Sequence, residues 1–116
     1  MRSTHRLTVL FLLILGTILL TGCPQRESIS KIMADPGRYR NKEVGVTGTV
    51  TDSYGILGQG TYELDDGTGR IWVATRRGVP SRGSHVGAKG RIISGGSYGG
   101  RNYGTVLEET ARKAVD

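Results

Sequence analysis

Residues 44–50 read Val-Gly-Val-Thr-Gly-Thr-Val, and residues 86–92 repeat the pattern as Val-Gly-Ala-Lys-Gly-Arg-Ile. Val44, Val46, Gly48 and Val50 fall on one face, as do Val86, Ala88, Gly90 and Ile92. A period of two is the mark of a half-buried strand. In each copy a glycine interrupts the apolar face in mid-strand, where a strand bends sharply or another backbone comes close. Two copies are too few to stack as a solenoid. Two strands doing the same job in a small closed barrel is the better expectation. A second echo follows each copy: Ser53-Tyr54-Gly55 after the first, Ser97-Tyr98-Gly99 after the other.

Working outward, Tyr62 and Leu64 alternate into the turn Asp65-Asp66-Gly67-Thr68-Gly69, and Ile71 and Val73 alternate on the return. This predicts a hairpin of the second and third strands. The Gly- and Ser-rich stretches 52–60 and 94–102 read as loops, as does 76–84 with Gly78, Pro80 and Gly83. A fifth strand is expected over 103–108. Upstream, Ser28 is placed to cap a short helix with Ile29, Ile32 and Met33 on one face, ended by Asp35-Pro36. The tail 111–116 suggests helix, because Glu108/Arg112 and Glu109/Lys113 have favourable i,i+4 spacing. The fold class expected is all-β: a small five-stranded barrel with a short N-terminal helix.

The N-terminus has three parts. Arg2, His5 and Arg6 are basic, Leu7 to Leu20 are mostly apolar, and small residues lead to Cys23. The apolar run is shorter than the ~20 residues of a spanning helix and fits a signal peptide better than the alternative, an uncleaved membrane anchor. Leu20-Thr21-Gly22-Cys23 resembles the lipobox of bacterial lipoproteins. That resemblance implies cleavage before Cys23, diacylglycerol on its sulfur and a fatty acyl group such as palmitate on the new amino terminus. Several acyl chains anchor stably where one binds marginally. The expected organisation is a signal peptide over 1–22, lipidated Cys23 and a tether to residue 27, the barrel domain over 28–110, and the tail. The location implied is the cell envelope, on the extracytoplasmic side of a membrane, and Pro24 after the cysteine suggests the outer one.

Five strands, the two bend glycines and the Tyr62–Val73 hairpin together resemble an OB-fold, more narrowly the tRNA-anticodon-binding-like group. The likeness covers about residues 29–108, a span whose ends are good to ~2–4 residues. It departs between the third and fourth strands, where many OB domains carry a helix and this chain has a short segment with Pro80. The N-terminal helix is expected to cover a barrel end instead.

The chemistry points away from catalysis. Cys23 is the only cysteine, so no internal disulfide forms, and beyond residue 22 His85 is the sole histidine. No zinc spacing, nucleophile elbow, phosphate loop or cofactor motif is present. Asp65 and Asp66 suit a tight turn better than a calcium loop. The net charge of +6 permits anionic partners without selecting nucleic acid. OB-folds bind oligomers across strands two and three, between the loops that join strands one–two and four–five. That places Tyr54, Arg70, Trp72, Lys89, Arg91, Tyr98 and Arg101 as candidate ligand-binding residues. Trp72 is either exposed there or covered by the N-terminal helix or the tail. Glu63 shares that face and would repel phosphates. The expected function is a non-enzymatic, lipid-anchored module that binds a protein or envelope polymer. The alternative is single-stranded nucleic acid.

Overall fold

The computed structural model describes residues 25–115. The expected signal peptide, the lipobox-like Leu20–Cys23 and Pro24 lie outside the described residues. The elements are β1 (Gln25–Arg26), α1 (Ile29–Ala34), α2 (Pro36–Tyr39), β2 (Glu43–Ile56), β3 (Gln59–Asp65), β4 (Arg70–Thr75), β5 (His85–Tyr98) and β6 (Arg101–Ala114). Strands β2 to β6 run in the order β2-β3-β4-β6-β5, and a β2–β5 ladder closes the circle. This is a closed five-stranded barrel. Strand β1 adds two residues in parallel beside β2.

The echoed segments turn out to be neighbours. Val44 lies opposite Gly90, Val46 opposite Ala88, and Gly48 opposite Val86, so the two copies form one antiparallel pair centred on Val46 and Ala88. From Thr49 onward β2 pairs with β3, while β5 pairs with β6 on its other edge from Val86 to Tyr98 and parts from β2 after Arg91. The glycines sit where the crossing backbone is nearest. A Cβ at Gly48 would stand 2.6 Å from the Asp65 carbonyl oxygen, and one at Gly90 only 2.0 Å from that of Glu108. Their role is therefore spatial: any side chain there would push two strands apart.

The barrel interior holds Val44, Val46, Val50, Tyr62, Leu64, Ile71, Val73, Val86, Ala88, Ile92 and Leu107, in one cluster with Ile29, Ile32 and Tyr39 of the helical segment. Each fully buried aliphatic contributes about 1.5–3 kcal/mol. Helix α1 covers the barrel end at the β3–β4 turn, as anticipated. Met33, however, is 43% exposed, since six residues give too short a helix to bury more than the Ile29–Ile32 side. Ser28 also does not cap it. The free amides are taken across the turn: Ile29 N–H donates to Asp66 Oδ2 at 2.9 Å, and Ser30 N–H to Thr68 Oγ1 at 3.2 Å. Asp66 Oδ1 also accepts the amides of Thr68 and Gly69. One carboxylate thus shapes the hairpin turn and latches the helix.

Three expectations need correction. Residues 52–60 and 94–102 are not loops but the paired ends of long hairpins, with Ile56 opposite Gln59 and Tyr98 opposite Arg101. Their Gly content supplies tight two-residue turns at Leu57-Gly58 and Gly99-Gly100, where all four residues have positive φ. The tail is not helical. Strand β6 runs on to Ala114, opposite Val86 of β5, because its backbone satisfies the free side of β5. The i,i+4 ion pairs are replaced by an Arg112–Glu109 contact of 3.6 Å.

That contact belongs to a polar plug at the barrel end remote from α1. The Glu109 side chain is fully buried. It accepts hydrogen bonds from the Tyr62 hydroxyl and from Thr75 Oγ1, the latter at 3.0 Å. The Arg112 guanidinium stacks 5.4 Å from the Tyr62 ring centre. Burial and then the Glu109 carboxylate push the Tyr62 phenol well above its usual range.

Candidate ligand-binding face

The outer face of β3, β4 and β6 is framed by the β2–β3 and β5–β6 hairpins. Outward alternation on β4 presents Trp72 and Ala74, and register places Trp72 between Glu63 of β3 and Val106 of β6. The long β2 arm brings Tyr54 alongside. Its ring stacks on Trp72 with centroids 5.9 Å apart and planes at 28°. From the other side Tyr103 of β6 lies against Trp72 at 5.0 Å, and Tyr98 of β5 follows at 6.2 Å from Tyr103. Four rings therefore form a row, Tyr54–Trp72–Tyr103–Tyr98, in arrangements that aromatic quadrupoles favour. The Tyr103 hydroxyl sits 3.0 Å from Thr61 Oγ1, which donates to it, fixing that ring across the sheet. The Arg101 guanidinium lies 5.4 to 5.9 Å from the centres of Tyr54, Trp72 and Tyr103, within cation–π reach of all three.

Beside the row is a groove of about 1070 Å³, lined by Ile56, Leu57, Thr61, Ala74, Arg76 and Glu108 among others. The Tyr98 phenol, on its wall, is raised above its usual value by burial and then by Glu108, with Arg76 opposing. Glu63 is already engaged. Its carboxylate accepts from Thr51 Oγ1 at 2.8 Å and lies 3.7 Å from Arg70, so its charge is partly compensated beside Trp72.

The candidates divide. Tyr54, Trp72, Tyr98 and Arg101 are brought together. Arg70 is turned to Asp65 at 3.2 Å and to Glu63 and does not line the groove. Lys89 lies 3.5 Å from Glu43 on the β2–β5 side. Arg91 is exposed, in register with Glu43 and Glu108, and does not line the groove. Trp72 is half-buried, and what covers it is the pair of hairpins rather than α1 or the tail. Tyr103 was not among the sequence candidates. It reads as an ordinary strand residue until positive φ at Gly104 and the extended hairpin swing it over Trp72. Ile56 was equally hidden by the expected loop.

No protein-family model matches the chain, and no curated protein matches it. Solved structures do. OBody AM3L09, bound to hen egg-white lysozyme, is 17% identical, with a TM-score of 0.60 over 81% of this chain and 98% of that one. The second OB-fold domain of replication protein A from Methanococcus maripaludis is 13% identical, with a TM-score of 0.57 over 79% and 96%. A chain of the S. pombe Stn1–Ten1 complex is 18% identical, with a TM-score of 0.51 over 63% of this chain, which spans only 57% of that one. At such identities the likeness is one of fold. Together with the closed barrel, it makes this an OB-fold.

Proposed function

We propose that this is a non-enzymatic binding module, anchored by lipid at Cys23 outside the cytoplasm, whose face between the two hairpins binds single-stranded nucleic acid. The observation that carries the reading is the row of four rings crossed by one guanidinium. Bases stack on such a platform at about 1–3 kcal/mol each, with little sequence preference, and OB-folds use this face for oligomers. An extracytoplasmic location favours a protein or envelope polymer. The partial compensation of Glu63 weakens the electrostatic objection to phosphates and moves nucleic acid ahead. A protein ligand is the second reading, supported by the OBody, an OB-fold seen with a protein partner.

Trp72 is the only tryptophan, so its emission reports directly on the row. In the full chain held in detergent micelles, single-stranded oligonucleotides are expected to quench that emission. Affinity should fall steeply as salt rises and counterion release loses its drive. Tyr103→Ala should weaken binding by about 10- to 100-fold, the loss of one stacking partner. An emission unchanged at low salt by any oligonucleotide rejects nucleic acid and leaves the protein ligand.

A further inference from the structure

The tip joining β2 to β3 is built against the usual rules. Ile56 is 75% exposed and Leu57 97%. Leu57 also has a φ of 55°, in the left-handed region that non-glycine residues avoid. A two-residue turn with positive φ at both positions ordinarily takes Asn-Gly or Asp-Gly. Here an aliphatic side chain occupies the most projecting position.

The tip is held firmly. Gly78 N–H donates to the Gly58 carbonyl at 2.7 Å, and Val79 packs against Gly55 and Gly60 beneath it. The same bond draws exposed Arg76 and Arg77 alongside, and Arg76 shares the groove wall with Ile56 and Leu57. The hairpin ends 54–62 and 94–105 and the segment 76–84 contain no Asp or Glu, and Glu108, farther along the groove, makes no ion pair with Arg76. Arg82 is taken by Asp52 and Arg101 by the rings. Among the described residues Arg76 and Arg77 have no carboxylate within ion-pair distance.

Two aliphatic side chains at a convex apex, flanked by two unpaired guanidinium groups, match the depth profile of a bilayer interface. Apolar groups enter the acyl boundary there while arginines meet headgroup phosphates. We propose that the Ile56–Leu57 tip, with Arg76 and Arg77 beside it, inserts into the interface of an anionic lipid bilayer. This rests on residues outside the ring row and does not depend on nucleic-acid binding. An oligonucleotide makes no use of a projecting Leu57, and the tip is convex where a protein pocket would have to receive it.

The test uses the full chain carrying Trp72→Phe and Leu57→Trp, reconstituted in vesicles of phosphatidylethanolamine and phosphatidylglycerol with brominated acyl chains. The tip emission is expected to shift to the blue and to be quenched about twofold more than in brominated phosphatidylcholine vesicles. Arg76→Gln with Arg77→Gln should erase that difference. In the unsubstituted chain, amide exchange of residues 54–60 should slow in the anionic vesicles only, a readout independent of whether the tryptophan variants fold. Water-like emission without quenching, or equal quenching in both lipids, overturns the proposal. So does quenching that a single-stranded oligonucleotide relieves, which would assign the tip to the nucleic-acid face. Loss of oligonucleotide binding with tip insertion retained would sink only the earlier reading.

Discussion

Replacing Gly90 by alanine tests the closure of the barrel. The added Cβ would lie 2.0 Å from the Glu108 carbonyl oxygen, 2.7 Å from its carbon and 3.0 Å from the Glu109 Cα, all of it backbone. Relief needs a displacement of about 1 Å in β6, in an interior packed too densely to absorb it. The shift falls at the β5–β6 register break next to Gly90. It would unseat Leu107, whose burial contributes about 2–3 kcal/mol. It would also disturb the bonds of buried Glu109, at about 1–3 kcal/mol for a group left unsatisfied. The expected loss is about 3–6 kcal/mol, a large part of the stability of a small domain, about 5–15 kcal/mol. Gly45→Ala is the control. Its nearest neighbour would be the Arg26 Cγ at 3.9 Å, so it should be neutral or stabilise by up to about 1 kcal/mol. Urea unfolding of the full chain in micelles, followed by Trp72 emission, measures both. A Gly90→Ala chain within about 1 kcal/mol of the parent at equal m would refute the close-approach argument.

Three further outcomes follow from the same geometry. Because burial and Glu109 raise the Tyr62 phenol above its reference of 10.0, its stabilising contribution is complete below that value and declines as pH rises beyond it. Tyr62→Phe should cost about 1–3 kcal/mol at neutral pH and remove that alkaline component from a pH series of urea midpoints; an unchanged alkaline slope contradicts it. Burial pushes Asp66 up, but the Ile29 amide and then the Thr68 and Gly69 donors outweigh it and hold the carboxyl below 3.8. Its contribution is present above that value and fades as pH falls through the lowered one. Asp66→Ala should cost about 1–2 kcal/mol, as a lost cap does, and speed amide exchange at Ile29 and Ser30; unaltered exchange there argues against the latch. Cys23→Ser should abolish fatty-acid labelling of the chain in a bacterial host, and persistent labelling rejects the proposed anchor.

Much of the barrel was legible because its signals are local. Alternation at Val44–Val50, Tyr62–Val73 and Val86–Ile92 fixes which side chains face inward, and the two mid-strand glycines point to close backbone approach. What failed was equally physical. Gly- and Ser-rich segments read as loops because propensity is blind to ladder partners, yet β3 and β6 supply them at Tyr54 and Ser97. The helical reading of the tail relied on exposed charge spacing. In the fold, Glu109 is worth more inside, bonded to Tyr62 and Thr75, than paired on a surface helix. For the candidate face, Tyr54, Trp72, Tyr98 and Arg101 follow from strand parity and fold resemblance. Tyr103 does not, since its position depends on where β6 bends. Arg70 and Lys89 were placed by parity on outer faces, but parity says nothing about the Asp65 and Glu43 carboxylates that occupy them.

Strands β2 and β5 each belong to two ladders, one with each other and one with β3 or β6. In β2 the two follow one another, but along residues 85–91 of β5 they run side by side, so this stretch cannot peel away without breaking hydrogen bonds on both edges, whereas β4 and β6 share a parallel ladder of only three residue pairs. The amides of residues 85–91 should be the last to exchange with solvent, released only when the whole domain comes apart.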